Sequence, residues 1–212
     1  MNQQDIEYNS LFAEGLSCRR NEQLLFEEIN FKLSSGEVLQ IEGTTGSGKT
    51  SLLRILCGLA FPEEGKVSWN NQDIQDTRSQ YLQEMHYIGH ANGIKAELTP
   101  VENLVVAQSL TNPIGDCSCR DALAQMEIEE LADIPVRKLS SGQRRRVALS
   151  RLLISEARLW LVDEPFTSLD DGGRLLVKKM FETHASAGGL AVIVTHDPLE
   201  LPNIPFKKIT FN

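Results

Sequence analysis

Glu37-Val38-Leu39-Gln40-Ile41-Glu42 runs directly into Gly43-Thr44-Thr45-Gly46-Ser47-Gly48-Lys49-Thr50, and the apolar stretch Ser51-Leu52-Leu53-Arg54-Ile55-Leu56 follows. The first segment reads as a strand and the third as a helix, with a G-x-x-x-x-G-K-[ST] loop between them. Glycines at these positions let the backbone curl, so that successive N–H groups face an anion with no Cβ in the way. The helix that begins at Lys49 adds its partial positive end. Lys49 then reaches the β- and γ-phosphates of a nucleotide, and the Thr50 hydroxyl is placed to hold Mg²⁺. The nucleotide-binding stretch is therefore Gly43, Thr44, Thr45, Gly46, Ser47, Gly48, Lys49, Thr50 and Ser51. A glycine-rich turn with a chance lysine would carry the same letters, but not the strand–loop–helix order.

Outward from this loop, the chain alternates strand and helix patterns, which predicts an α/β domain with a parallel sheet. Further strands are expected at Leu24 to Leu33, Lys66 to Trp69, Leu159 to Asp163 and Leu190 to Thr195. The last two are nearly uninterrupted apolar runs, as strands covered on both faces are. Helices are expected from Lys49, Pro100, Arg120, Ser141 and Asp170. Thr99-Pro100-Val101-Glu102 supplies an N-cap, a first-turn proline and an early acid. Pro62 to Gly65 and Thr111 to Gly115 read as turns. Residues from about 91 to 138 have helical character and resemble a subdomain inserted into the strand-rich remainder.

Leu159-Trp160-Leu161-Val162-Asp163-Glu164 is an apolar strand ending in two carboxylates. A carboxylate there is costly unless it meets a cation or water. Asp163 suits Mg²⁺, held through water. Glu164 points to the other side of the strand, where it can polarise an attacking water as general base. An acidic strand end merely exposed to solvent is the plainer reading; the phosphate loop argues against it.

The 212 residues are 41% apolar and 24% charged, which suits one large folded domain. Twenty-one basic against 29 acidic residues leave a net charge of −8. Such a field repels nucleic acids and anionic membranes, so no nucleic-acid partner is expected. Arg144, Arg145, Arg146 and Arg151 form a basic cluster that reads as a solvated helix face. No apolar run reaches the roughly 18 to 20 residues that span a bilayer. Ser51 to Phe61 comes nearest and is broken by Arg54. The polar start, with Asp5 and Glu7, does not read as a signal peptide. Cys18, Cys57, Cys117 and Cys119 read as free thiols rather than as metal ligands.

Leu139-Ser140-Ser141-Gly142-Gln143 lies between the loop and the acidic strand: Leu139 follows Lys49 by 90 positions and Gln143 precedes Asp163 by 20. The motif resembles the signature of ABC transporter ATPases, with Ser141 where glycine is commoner. Ser168-Leu169-Asp170 resembles their D-loop, and His196, after the run Leu190 to Thr195, resembles their switch histidine. Local chemistry allows plainer roles: Ser140 and Asp170 as helix caps, and His196 as a histidine after a strand. The resemblance extends over nearly the whole chain. It implies a P-loop ABC ATPase fold: a parallel-sheet core, an antiparallel β subdomain and an inserted helical subdomain, all in one domain spanning 1–212. It implies ATP and Mg²⁺ as ligands, Thr50 and Asp163 at the metal, and Glu164 and His196 as catalytic residues. Ser140, Gly142, Gln143 and Asp170 would contact nucleotide in an ATP sandwich between two copies of the chain. Integral membrane subunits would be the other partners, with the chain peripheral on the cytoplasmic face of the inner membrane.

Two positions depart from the ABC pattern. His90 occupies the place of the Q-loop glutamine, and Arg20 that of the adenine-stacking aromatic; a guanidinium can also stack on a purine. A narrower resemblance runs through Leu16 to Arg20, Tyr87 to Thr99, Pro135 to Ser140 and Asp163 to Thr167. These stretches are similar to the haem-exporter ATPase of cytochrome c maturation. That implies a role in haem export, or in release of a haem-loaded chaperone. Only sixteen positions follow His196, so a regulatory domain of the kind some transporters add is not expected. Other readings stay open: another small-molecule or lipid exporter, a soluble ABC ATPase acting on DNA or ribosomes, a P-loop small-molecule kinase, or a nucleotide-binding regulatory module. The one-cassette layout argues against the second, the signature motif against the third, and the presence of Glu164 and His196 against the fourth.

Overall fold

The computed structural model describes residues 8–110, 117–196 and 199–211. Strands β1 (Ser10–Arg20), β2 (Gln23–Ser34), β4 (Glu64–Trp69) and β5 (Gln72–Asp73) form an antiparallel sheet in the order β2-β1-β4-β5. Strands β3 (Val38–Gly43), β6 (Met85–Ile88), β7 (Leu159–Asp163), β8 (Leu190–Val194) and β9 (Phe206–Phe211) form a parallel sheet in the order β6-β7-β8-β3-β9. The helices are α1 (Lys49–Leu56), α2 (Arg78–Glu84), α3 (Pro100–Leu110), α4 (Cys119–Gln125), α5 (Ser141–Leu153) and α6 (Asp171–Ser186). Single 3₁₀ turns at Glu129–Leu131 and Val136–Lys138 lie between α4 and α5.

The parallel sheet separates two apolar cores, and side-chain alternation assigns residues to each. Leu159 and Leu161 of β7, with Leu190, Val192 and Val194 of β8, pack toward α1, β1 and β4. Trp160, Val162, Ala191 and Ile193 pack on the other face, against α4, α5 and α6. Every residue of β7 and β8 is buried. This accounts for their unbroken apolar runs, since both faces meet a core.

Helix starts follow local chemistry. Thr99 and Glu102 exchange hydrogen bonds with each other's backbone N–H at 3.2 and 2.8 Å, a reciprocal cap for α3. Ser118 with Asp121, and Ser140 with Gln143, make the same box at α4 and α5. Helix α4 accordingly begins one residue before the expected Arg120. Asp170 precedes α6 and caps it by accepting from the Gly173 N–H at 2.9 Å.

Some expectations need correction. Glu64 and Gly65 are the first residues of β4, so only Pro62 and Glu63 remain in the turn. Thr195 lies just beyond β8. The turn expected at Thr111 to Gly115 falls outside the described residues. The arginine cluster of α5 is not a solvated face: Arg145 is only 3% exposed, and its neighbours also reach backbone carbonyls. An arginine fork can meet several such carbonyls at once.

Candidate functional site

Strands β3, β6, β7 and β8 run parallel and end nearly in register, with Ile41 beside Val194, Asp163 beside Val194, and Ile88 beside Val162. Their carboxyl ends therefore deliver four loops to one rim, where ligands of open α/β sheets bind. A cleft of about 770 Å³ opens there. Thr45, Gly46, Gly48, Lys49, Thr50 and Ser51 line it from the loop after β3, Asp163 and Glu164 from the end of β7, and His196 from the segment after β8. A second cavity of similar volume lies beside Met85, Arg158 and Gly189, at the opposite ends of the strands, and gathers none of these residues.

The loop is built for close approach. Gly48 is the N-cap of α1 with φ 102°, a left-handed geometry in which a Cβ would also press on the Phe26 ring at 3.0 Å. The Lys49 ammonium is held by the carbonyls of Gly43 and Thr44 at 2.8 and 2.7 Å, and the residue is 6% exposed. Burial lowers its pKa, while the carboxylates of Glu164 and Asp163 act in the opposite sense. Its charge thus sits in a partly desolvated place with no anionic hydrogen-bond partner among the described residues. The Ser47 hydroxyl is buried and has no hydrogen-bond partner among the described residues. Both features fit a loop shaped around phosphate oxygens.

Thr50 donates its hydroxyl to Asp163 Oδ2 at 3.1 Å, and Asp163 is 2% exposed. This pairing of hydroxyl and carboxylate oxygens is the donor set that a hard divalent cation takes. Glu164 Oε1 lies 3.4 Å from His196 Nε2. The Glu164 backbone has φ 50°, and its N–H donates to the Val194 carbonyl at 2.8 Å. That unusual backbone turns its side chain away from the course of β7 and into the cleft.

His90 and Arg20 also line the cleft, although both depart from the ABC pattern. Ser140, Gly142, Gln143 and Asp170 do not line it. Within one chain, Ser140, Gln143 and Asp170 make the helix caps, and a Cβ at Gly142 would lie 2.6 Å from the Ser168 carbonyl. The start of α5 and the Ser168–Asp170 turn thus form one surface, separate from the cleft that holds Lys49. Asn21, Gln23, Leu25, Thr167 and Val194 complete the lining, and no motif in the sequence marks them. Asn21 and Glu22, with φ 50° and 64°, make the two-residue turn between β1 and β2 that brings Asn21 and Gln23 there. An Asn in a short polar gap was the available sign.

A family model described as ABC transporter matches residues 26–167. The cytochrome c biogenesis ATP-binding export protein CcmA of Methylococcus capsulatus is 48% identical over 192 residues, covering 90% of this chain and 93% of that protein. The protein of the same name from Nitrosococcus oceani is 46% identical, covering 90% of this chain and 88% of its own. Among solved structures, a putative ABC transporter ATP-binding protein from Pyrococcus furiosus superposes with a TM-score of 0.82 at 21% identity, covering 95% of this chain and 97% of that one. A dimeric ATP-binding cassette bound to ADP and Pi superposes with a TM-score of 0.74 at 26% identity, covering 88% of each chain. The chain therefore belongs to the ABC transporter ATP-binding subunits, enzymes that couple ATP hydrolysis to transport, and within them to the CcmA family.

Proposed function

We propose that this chain is the ATP-hydrolysing engine of the export step in cytochrome c biogenesis, powering haem export or release of a haem-loaded chaperone through membrane subunits. The observation that carries the chemistry is the Thr50–Asp163 contact beside Lys49, with Glu164 and His196 on the same rim. The 40–48% identity to relatives named for cytochrome c biogenesis export carries the physiological half.

In this reading the N–H groups and side chains of Gly43 to Ser51 bind the ATP phosphates, with Lys49 at the β- and γ-phosphates. Thr50 and Asp163 hold Mg²⁺, which when bound offsets the charge that develops on the phosphate oxygens. Glu164 accepts a proton from the attacking water as general base. His196, beside Glu164, contacts the γ-phosphate. Arg20 stacks on the base, and His90 faces the nucleotide where a glutamine is usual. Ser140, Gly142, Gln143 and Asp170 lie away from their own chain's cleft, which supports their service at the nucleotide of a second copy. The membrane subunits hold the chain peripherally at the cytoplasmic face of the inner membrane.

Replacing Glu164 by Gln keeps MgATP affinity within a few-fold and lowers hydrolysis about 10²- to 10⁴-fold, because the base is lost and the phosphate cradle stays. Replacing Lys49 by Ala weakens binding and hydrolysis together. Cells with either variant as their only copy still make haem and b-type cytochromes but lose haem-stained c-type cytochromes, against a wild-type control at matched expression. Normal c-type cytochromes in a strain with proven loss of ATPase activity would remove the cytochrome c assignment and leave the ATPase intact.

A further inference from the structure

The guanidinium of Arg145 is buried near the cleft, and the proposed chemistry assigns it no part. It projects from the second turn of α5 and spends all four of its Nη hydrogens on two separate segments. Nη2 donates to the carbonyls of Asp163 and Glu164 at 2.6 and 3.1 Å. Nη1 donates to the Gly89 carbonyl at 3.2 Å and to Asn92 Oδ1 at 3.0 Å. Burial disfavours its charge, and the carboxylates of Asp163 and Glu164 support it. A guanidinium stays protonated under such conditions, so this is a permanent fork with fixed donor directions.

The two carbonyls on Nη2 flank a single Cα. Glu164 has φ 50°, in the left-handed region that a non-glycine residue occupies at a cost of roughly 1–2 kcal/mol. Such a conformation persists only where its surroundings determine it. The peptide before this Cα is fixed at both ends, its N–H by the Val194 carbonyl and its C=O by Arg145. The peptide after it is fixed at its C=O, again by Arg145. These contacts set the direction of the Glu164 Cα–Cβ bond and hence the aim of its carboxylate.

We infer that Arg145 is a positioning residue for hydrolysis: it holds the strained backbone at Glu164, and ties that backbone to the Gly89–Asn92 loop and to α5. The inference rests on the reading of Glu164 as general base. Lysine cannot replace the function fully, because a single ammonium has no planar fork with which to satisfy the same four acceptors.

The test is steady-state MgATP hydrolysis by the purified chain carrying Arg145→Lys, Arg145→Gln, Glu164→Gln, or Arg145→Gln with Glu164→Gln. Melting curves and binding of a fluorescent ATP analogue accompany each variant. Arg145→Gln should lower kcat on the order of a hundredfold with KM within about threefold, as a displaced catalytic group does. Arg145→Lys should recover part of that loss. Hydrolysis by the double variant should be no slower than by Glu164→Gln alone, since both changes act through one carboxylate. Near-normal kcat in either Arg145 variant overturns the inference. So do losses that multiply in the double variant, and so does a joint fall of kcat, ATP affinity and melting temperature in both Arg145 variants. Normal turnover by Glu164→Gln removes the general base itself, and the inference falls with it by a separate, recognisable result.

Discussion

At the scale of single residues, the loop after β3 shows two glycines with different duties. Gly43 has φ 150°, and a Cβ there would lie 2.4 Å from the Phe211 carbonyl of β9. Gly46 has φ 87°, lines the cleft, and a Cβ there would meet no heavy atom within 4 Å. Gly43→Ala should therefore destabilise the fold by roughly 1–3 kcal/mol, because backbone must move against backbone. Gly46→Ala should cost about 1 kcal/mol of local strain while lowering nucleotide affinity more than its stability loss explains. Urea titrations alongside ATP-analogue binding separate the two, and a larger stability loss at Gly46 would contradict the packing argument. The Gly43–Thr50 spacing made this loop legible in the sequence, whereas Arg145 was not. A run of arginines looks alike whether it faces solvent or backbone carbonyls, and only the tertiary fold brings Gly89, Asn92 and Asp163 within its reach.

At the scale of elements, legibility followed periodicity. Strands β7 and β8 stood out because two-sided burial makes their sequences continuously apolar. Strand β1 did not: Leu11, Ala13 and Leu16 are buried, but register shifts around Gly15 break the two-residue alternation. Strand β9 sits at the sheet edge with Lys207 and Lys208 in its middle, and β6 has only four residues, one of them a histidine. Edge position and short length leave little apolar pattern to read. Helix α5 bears on function through its first turn. Ser140 caps it by accepting from the Gln143 N–H at 3.1 Å, and the same hydroxyl is proposed to meet the phosphate of another chain. The two duties separate in Ser140→Asp, because aspartate caps about as well as serine but repels phosphate. That variant should keep its unfolding free energy within about 0.5 kcal/mol, against a loss of about 1 kcal/mol for Ser140→Ala. Its ATPase activity should fall at least about tenfold. Full activity in a stable Ser140→Asp protein would confine Ser140 to the cap.

At the scale of the whole molecule, two histidines on the core face shared by α5 and α6 weaken the fold as the pH falls. Burial lowers the His86 pKa to about 4, and the positive charge of Arg151 acts in the same direction. Burial also lowers that of His184 to about 4; it stacks on Trp160 at 3.6 Å, and its Nε2 lies 3.2 Å from the Leu190 carbonyl. Both are neutral when folded and take up protons below pH of about 6.5 once unfolded. The unfolded state then binds more protons, so the stability that these two rings contribute is constant above pH of about 6.5 and falls as the pH drops toward 4. Each site contributes at most about 3 kcal/mol across that interval. Urea midpoints from pH 7.5 down to about 4.5 check this, and His86→Gln should remove about half of the slope. A flat profile would mean that these rings gain protons without unfolding. The surface formed by the start of α5 and the Ser168–Asp170 turn, separate from its own chain's cleft, has a consequence for inheritance. In the proposed pairing, every nucleotide site belongs to two polypeptides. A cell holding equal amounts of wild-type and Lys49→Ala chains would form fully intact pairs in only about a quarter of cases, if partners are drawn at random. Defective alleles of this protein should therefore be partially dominant, poisoning good copies in proportion to their dosage.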